Sequence, residues 1–206
     1  VGSEMCIRDS FDTVLEFEKQ IAEFYGASYA VATDCCTHAI EICLRELSIV
    51  RATIPAHTYL SIPMTLEKLG IDWEFNTEEW KDFYQINGTP IIDAAVLWRQ
   101  NSYIPRTLMC LSFQYKKHLS LGRGGAILFD DESLYDKFKF MTYDGRSPNQ
   151  PWKEQDIKTI GYHYYMTPET AQLGLDRLPD AEITTPKKVT YKDYPDLRTM
   201  PVFANK

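Results

Sequence analysis

The sequence predicts an α/β domain with a mostly parallel sheet and helices on both faces. Short apolar runs typical of buried strands alternate with segments of helical periodicity, and glycines and prolines fall between them. The 206-residue length and the hydrophobic fraction of 44% fit one globular domain with a full core. Ligands of such sheets bind beyond the carboxyl ends of the strands, so residues that follow strands are the candidates for a site.

The elements follow from local signals. A helix is predicted from a cap at Asp12 or Thr13 to Gly26, because apolar residues recur there at helical spacing. Asn76 is predicted to cap a short helix, with Glu79 in the capping-box position. Strands are predicted at residues 29–33, 52–55, 71–75, 90–92, 108–113 and 126–129, and further helices near residues 40–47, 64–69, 76–84, 131–141 and 168–178.

The same signals divide the chain into three parts. Residues 11–178 are the predicted α/β domain. Residues 1–10 are predicted to be a leader that is non-native or disordered, and residues 179–206 an extended tail.

Charge and composition exclude several classes of protein. The formal net charge of −7 argues against a nucleic acid or an anionic membrane as the main partner. No apolar run reaches the length of a membrane span, and the first ten residues lack the apolar core of a signal peptide. Five cysteines without paired zinc motifs predict free thiols, a cytoplasmic location and no metal site.

Two loops after predicted strands carry candidate ligand groups. The segment Asp34-Cys35-Cys36-Thr37 opens a helix, whose first N–H groups suit a phosphate. Taken alone, a plain cap over two buried thiols explains this loop better. Asp93 follows an apolar strand, where a buried carboxylate needs a cationic partner such as a ligand nitrogen. The alternative is an Asp that faces water or caps a turn.

Two further loops complete the set. Lys116 and Lys117 follow Ser112 at the end of the strand at 108–113. A desolvated lysine is a good Schiff-base nucleophile, although solvated loop lysines are common in any protein. Tyr59 follows the strand at 52–55 and would either stack on a flat cofactor or belong to the core. A phosphate loop, a buried Asp and a lysine at one sheet edge are what pyridoxal phosphate requires.

These residues resemble the DegT/DnrJ/StrS family of sugar aminotransferases, pyridoxal-phosphate enzymes of fold type I. The resemblance runs from about Phe11 to Leu178. It implies a shortened fold-type I large domain, short by about one βα unit between Tyr59 and Asp93 and without the family's C-terminal small domain. The matching segments are Phe24-Tyr25-Gly26, Pro55-Ala56-His57-Thr58-Tyr59, Asp93-Ala94-Ala95, and Ser112-Phe113-x-x-x-Lys117 followed by Gly122-x-Gly124-Gly125.

The resemblance also implies a role for each candidate. Lys117, selected over Lys116 by its spacing, would hold the cofactor as a Schiff base and move the proton. Asp93 would pair with the pyridinium nitrogen, and Tyr59 would stack on the ring. The phosphate would be held by Ser112, Thr37 and the backbone of Cys35 and Cys36.

Several positions depart from the family pattern. Gly161-Tyr162-His163-Tyr164-Tyr165 stands where the family has Gly-Tyr-Asn-Tyr-Arg, a segment that reaches the neighbouring subunit's site. His163 thus replaces the phosphate-binding Asn, and the resemblance implies a homodimer with composite sites. The alternative is that these aromatic residues cover the chain's own sheet. Cys36 replaces a loop glycine, the residue best able to adopt a positive φ.

The resemblance implies an aminotransferase acting in surface-polysaccharide or amino-sugar biosynthesis. It would transfer an amino group from an amino acid, with glutamate expected, to a keto-sugar nucleotide. One alternative is a related sugar dehydratase, in which a His replaces the Schiff-base lysine; Lys117 argues against it, although His118 is adjacent. The other is a non-catalytic remnant that binds pyridoxal phosphate or a sugar.

Overall fold

Helices and strands alternate along the chain, in agreement with the predicted α/β class. The structure is a computed structural model, which describes the backbone of residues 2–204 and 206 and the side chains of residues 11–204 and 206. Helices α1 to α5 span Gly2–Tyr25, Cys36–Glu46, Ser61–Leu69, Tyr135–Thr142 and Pro168–Ile183. Strands β1 to β7 span Tyr29–Thr33, Arg51–Pro55, Asp72–Asn76, Tyr84–Gln85, Ile91–Asp93, Leu108–Ser112 and Gly125–Phe129.

The strands form a mixed sheet in which most members run in one direction. Five strands pair in the order β1-β7-β6-β5-β4, and β2 and β3 form a parallel pair beside them. An antiparallel bridge between Thr53 of β2 and Asn87, just past β4, joins the two parts. Strands β1, β2, β3, β5 and β6 therefore run one way, and β4 and β7 run the other way.

Both faces of the sheet are buried, which explains why its strands read as continuous apolar runs. Successive side chains of a strand point to opposite faces. Val31 accordingly lies in a core cluster with α2 and α3, whereas Ala30 and Ala32 lie in a second cluster with α1 and α5. In the second cluster Phe17 of α1 packs edge-on against Phe113, with ring centroids 5.4 Å apart. These two cores fix the strand ends that carry the candidate residues.

The helix predicted at 76–84 is wrong. Asn76 does accept a hydrogen bond from the N–H of Glu78 (2.9 Å), so the local turn forms as its cap signal suggests. The chain then remains extended, because Trp80 is buried and its Nε1 donates to the carbonyl of His57 at 2.7 Å. The segment ends in β4, which pairs antiparallel with β5 and so fills the space between β5 and β2.

Both ends of the chain differ from the predicted boundaries. Helix α1 begins at Gly2, so Asp12 and Thr13 lie inside it and it starts within the predicted leader. The side chains of that leader, residues 1–10, lie outside the described residues. Helix α5 continues through Pro179 to Ile183. The predicted extended tail contains three 3₁₀ turns, at Tyr191–Asp193, Leu197–Thr199 and Pro201–Phe203.

The tail residues return to the core because they carry apolar side chains. Leu197 is 1% exposed and Phe203 is 2% exposed. Phe203 packs edge-on against Trp73 and Phe75 of β3, with ring centroids 5.9 and 5.8 Å apart. Among the described residues, none of the helices combines the length and apolar character that crossing a bilayer requires.

Candidate active site

The carboxyl ends of β1, β2, β5 and β6 meet at one edge of the sheet, since these strands run in the same direction. The four predicted groups all lie at this edge. Asp93 ends β5, the Lys117 loop follows β6, and α2 begins directly after β1. The loop with His57 and Tyr59 follows β2.

Asp93 is a buried carboxylate held by two donors. It is 6% exposed, and its Oδ2 accepts from the hydroxyl of Tyr84 at 2.7 Å while its Oδ1 accepts from the N–H of Ala95 at 3.0 Å. The hydroxyl of Thr58 lies 2.5 Å from that of Tyr84, which extends the chain of hydrogen bonds. Burial raises the pKa of Asp93, and the hydrogen bonds and the charge of Lys117 oppose that rise.

No cation forms an ion pair with Asp93 among the described residues. A buried carboxylate in this state is costly to ionise. A cationic nitrogen placed beside Asp93 would therefore be bound favourably.

Lys117 belongs to a tight turn anchored on Phe113. The N–H of Phe113 donates to the carbonyl of Gly124 (2.9 Å), and its carbonyl accepts from the N–H of Leu121 (2.8 Å). Within the described part of the chain, Nζ of Lys117 makes no hydrogen bond or ion pair. Burial and the charge of Asp93 raise the pKa of the Cys36 thiol, and the charge of Lys117 opposes them. The structure thus brings Lys117, Asp93 and Cys36 together.

The first turn of α2 is left open for an anion. Cys35 is the N-cap in an extended conformation (φ −166°), and its side chain makes no capping hydrogen bond. The first N–H groups of a helix have no partner within it and attract negative charge. The hydroxyl of Thr37 in this turn pairs with that of Ser61 at 2.7 Å. Cys36 is the first helical residue, so replacement of the family's loop glycine causes no strain here.

The contacts of Gly125 explain why the last position of the Gly-x-Gly-Gly motif is glycine. A Cβ at this position would lie 2.5 Å from the carbonyl carbon of Cys35 and 2.5 Å from the N atom of Cys36. Only glycine lets β7 approach the start of α2 this closely. Ser112 pairs with Gly125 across the sheet, so Ser112 also lies near the start of α2.

A charged cluster flanks this helix start and was not predicted. Asp34 accepts from His38 Nδ1 and from Arg123 Nη2, both at 2.6 Å. Burial opposes the charge of His38, but the hydrogen bonds and charges of Asp34 and Cys35 together outweigh it and raise the pKa of His38 to about 9. The available signal was the spacing of four between Asp34, just before the predicted helix, and His38 within it.

Tyr59 and His163 are far more exposed than Asp93, although the Tyr59 loop lies at the same sheet edge. Tyr59 is 60% exposed. The side chain of His163 is 71% exposed, and its Nδ1 lies 3.0 Å from a carboxylate oxygen of Asp144. The neighbouring Tyr164, in contrast, stacks on His38 with ring centroids 3.6 Å apart. The segment therefore covers its own chain with Tyr164 and presents His163 outward.

A match to a protein-family model shows which family this chain belongs to. The model described as the DegT/DnrJ/EryC1/StrS aminotransferase family matches residues 4–75 and 106–194. The chain belongs to this family. The unmatched residues 76–105 include β4, β5 and Asp93.

Individual relatives agree with the family match. The spore coat polysaccharide biosynthesis protein SpsC of Bacillus subtilis is 25% identical over 80% of this chain and 56% of its own length. Helicobacter pylori PseC, an aminotransferase involved in the biosynthesis of pseudoaminic acid, superposes with a TM-score of 0.69 at 18% identity, covering 82% of this chain and 58% of PseC. The pyridoxal-phosphate form of Spr1654 from Streptococcus pneumoniae gives 0.67 at 17% identity, over 87% and 65%.

These likenesses confirm the predicted fold-type I aminotransferase fold. The chain spans little more than half the length of SpsC and PseC. The role of each site residue stays a prediction.

Proposed function

We propose that this chain is, or is part of, a pyridoxal-phosphate-dependent aminotransferase. It would transfer an amino group from an amino acid, with glutamate as the expected donor, to a keto-sugar nucleotide in surface-polysaccharide or amino-sugar biosynthesis. The observation that carries the proposal is the buried carboxylate of Asp93, which lacks an ion-pair partner and lies near Lys117. Family membership supplies the reaction class.

The residues present fit pyridoxal phosphate. Asp93 offers a negative charge for the pyridine nitrogen, and Lys117 offers an unpaired amine for covalent attachment. The open first turn of α2, reached closely by β7 through Gly125, suits the phosphate together with Ser112 and Thr37. When bound, the cofactor would supply the electron sink for the reaction.

Each protein group has a definite task in this scheme. Tyr84 and Ala95 orient the carboxylate of Asp93, which then keeps a proton on the ring nitrogen. Lys117 Nζ would take the proton from the substrate Cα and hold it for the later proton return. The backbone N–H groups of Cys35 and Cys36 and the hydroxyl of Thr37 bind the phosphate. Tyr59, exposed beside the site, provides a ring for stacking.

A visible spectrum tests the proposal directly. The purified 206-residue chain is expected to acquire visible absorption when pyridoxal phosphate is added, and to lose it when glutamate is added. Absence of any spectral change with the cofactor would reject the proposal. Cofactor absorption that no amino acid alters would support the non-catalytic binding protein instead.

One observation favours the non-catalytic binding protein. Both oxygens of Asp93 already accept hydrogen bonds from the chain, so the carboxylate has protein partners even without a cofactor nitrogen. The dehydratase alternative is less well supported. His118, the adjacent histidine, has its Nε2 2.9 Å from the carbonyl of Ala181, where it holds α5 to the Lys117 loop.

The proposed assembly is a homodimer with composite sites. His163 is exposed on a segment whose neighbour Tyr164 is packed against the same chain, which leaves the imidazole available to a second copy. His163 of the partner subunit would donate a hydrogen bond to the phosphate. Sedimentation velocity with and without pyridoxal phosphate tests this assembly. A monomer that binds the cofactor as tightly as any dimer would exclude a composite site.

A reducing cytoplasm is the proposed location. The four cysteines described are unpaired: Cys35, Cys36, Cys43 and Cys110. Unpaired thiols are typical of that compartment.

A further inference from the structure

Residues 189–203, called here the return segment, cross the carboxyl end of β2 instead of extending from the domain. The N–H of Leu197 donates to the carbonyl of Ala56 (2.9 Å), and the N–H of Tyr191 donates to the carbonyl of Trp80 (3.1 Å). Leu197 is buried beneath the segment. The return segment is therefore fixed beside the loop that carries His57, Thr58 and Tyr59.

Tyr194 lies at the centre of the return segment and faces the site. Its carbonyl accepts from Nδ1 of His57 at 2.8 Å. Its ring centroid lies 5.4 Å from that of Trp80, which lies 5.5 Å from that of Tyr84. The Tyr84 hydroxyl donates to Asp93. An aromatic row thus connects Tyr194 to the carboxylate that would bind the pyridine nitrogen.

Electrostatics place the Tyr194 hydroxyl in the same surroundings. Burial, followed by the charge of Asp93, raises the pKa of Tyr194 to about 12. Asp193, the thiol of Cys36 and the phenol of Tyr59 make smaller contributions to the same rise. Three of these four groups were predicted as cofactor contacts from the sequence. Together with the ring contact to Trp80 and the hydrogen bond from His57, this places the Tyr194 side chain beside the space in which the cofactor ring would bind.

We propose that Tyr194 is a wall of the cofactor site, packing against the flat heteroaromatic ring and shielding Asp93 from water. The inference rests on the proposed function. The phenol suits this position because it stays neutral, offers an apolar ring face and can donate one hydrogen bond. Exclusion of water beside Asp93 strengthens its attraction for a protonated ring nitrogen. The return segment would thus complete a site whose other walls come from strand ends.

Equilibrium dialysis of the full chain against pyridoxal phosphate tests the inference. Tyr194→Ala is expected to raise the dissociation constant about tenfold, and Tyr194→Phe about twofold, since the ring contributes more than the hydroxyl. Tyr191→Ala is the matched control. It truncates a ring of the same segment that packs against His57, with centroids 5.5 Å apart, and does not join the row to Asp93. Circular dichroism confirms that each variant is folded.

The outcomes separate this inference from the proposed function. A wild-type chain that binds no pyridoxal phosphate would reject both. Wild-type binding that Tyr194→Ala leaves unchanged or tightens would reject the wall and leave the proposed function standing. Equal weakening by Tyr191→Ala and Tyr194→Ala would show that docking of the segment matters, not the Tyr194 ring, and would also overturn the inference. Selective weakening by Tyr194→Ala supports it.

Discussion

The two halves of the candidate site are built in different ways. The lysine side, residues 33–38 and 112–125, lies within the family match and consists of short motifs at the ends of β1 and β6. The aspartate side, residues 56–59 and 80–95, lies largely outside that match and depends on a hairpin and on the return segment.

The difference shows which part of the site tolerates a change of architecture. On the lysine side, the backbone is closely packed. Gly125 lies so close to Cys36 that no side chain would fit between them. On the aspartate side, β4 runs antiparallel to β5 and supplies Tyr84 as the donor to Asp93. The carboxylate is thus held by the β4–β5 hairpin, which lies in the stretch that the family model does not match.

Loss of the attachment point on the lysine side should have the largest effect. Lys117→Ala is expected to lower transamination about 10³-fold, because the amine both binds the cofactor and moves the proton. Borohydride reduction followed by peptide mass mapping should place the pyridoxyl group on Lys117 in the wild type. Lys116→Ala serves as the control and should behave as the wild type. Labelling of Lys116 would contradict the assignment.

Removing the negative charge of Asp93 on the aspartate side should lower turnover somewhat less. Asp93→Asn is expected to lower turnover about 10²-fold, since the ring nitrogen loses its negative partner. Tyr84→Phe removes only one donor to Asp93, and the expected loss is about fivefold. Steady-state kinetics with a keto-sugar nucleotide measure both. Near-normal turnover of Asp93→Asn would remove Asp93 from the mechanism.

The lysine side was the easier half to predict from the sequence. Ser112 and Lys117 lie within a few positions of the end of β6, and the start of α2 lies within a few positions of the end of β1, so local spacing locates them. Asp93 was also found, because an apolar strand precedes it.

The missed residues reach the site through contacts distant in sequence. Tyr84 fell within a helix predicted from the Asn76 cap, which burial of Trp80 overrides. Tyr194 lay in a segment whose prolines suggested an extended tail, but Leu197 and Phe203 return it to the core. No local pattern distinguishes a docked irregular segment from a free one, since both lack periodicity.

Gly125 tests how tightly the lysine side is packed. Gly125→Ala is expected to lower the free energy of unfolding by about 3 kcal/mol, because its Cβ would meet backbone atoms that cannot move aside. Gly124→Ala is the matched neighbour. Its Cβ would lie 3.1 Å from the flexible end of Met166, and the expected cost is about 1 kcal/mol. Urea unfolding measures both, and equal costs would show that the contact with α2 is loose.

The smallest effect concerns the charged cluster at the start of α2. Folding raises the pKa of His38 from 6.5 to about 9, mainly through Asp34 against the cost of burial. Its stabilising contribution is therefore complete below about pH 6.5 and is lost as the pH rises through about 9. Asp34→Asn should destabilise the chain more at about pH 6 than at about pH 9.5 in urea unfolding. Glu46→Gln breaks the pair with Lys137, whose charge does not change across this window, and its effect should stay constant. A constant difference for Asp34→Asn as well would mean that His38 is not the titrating partner.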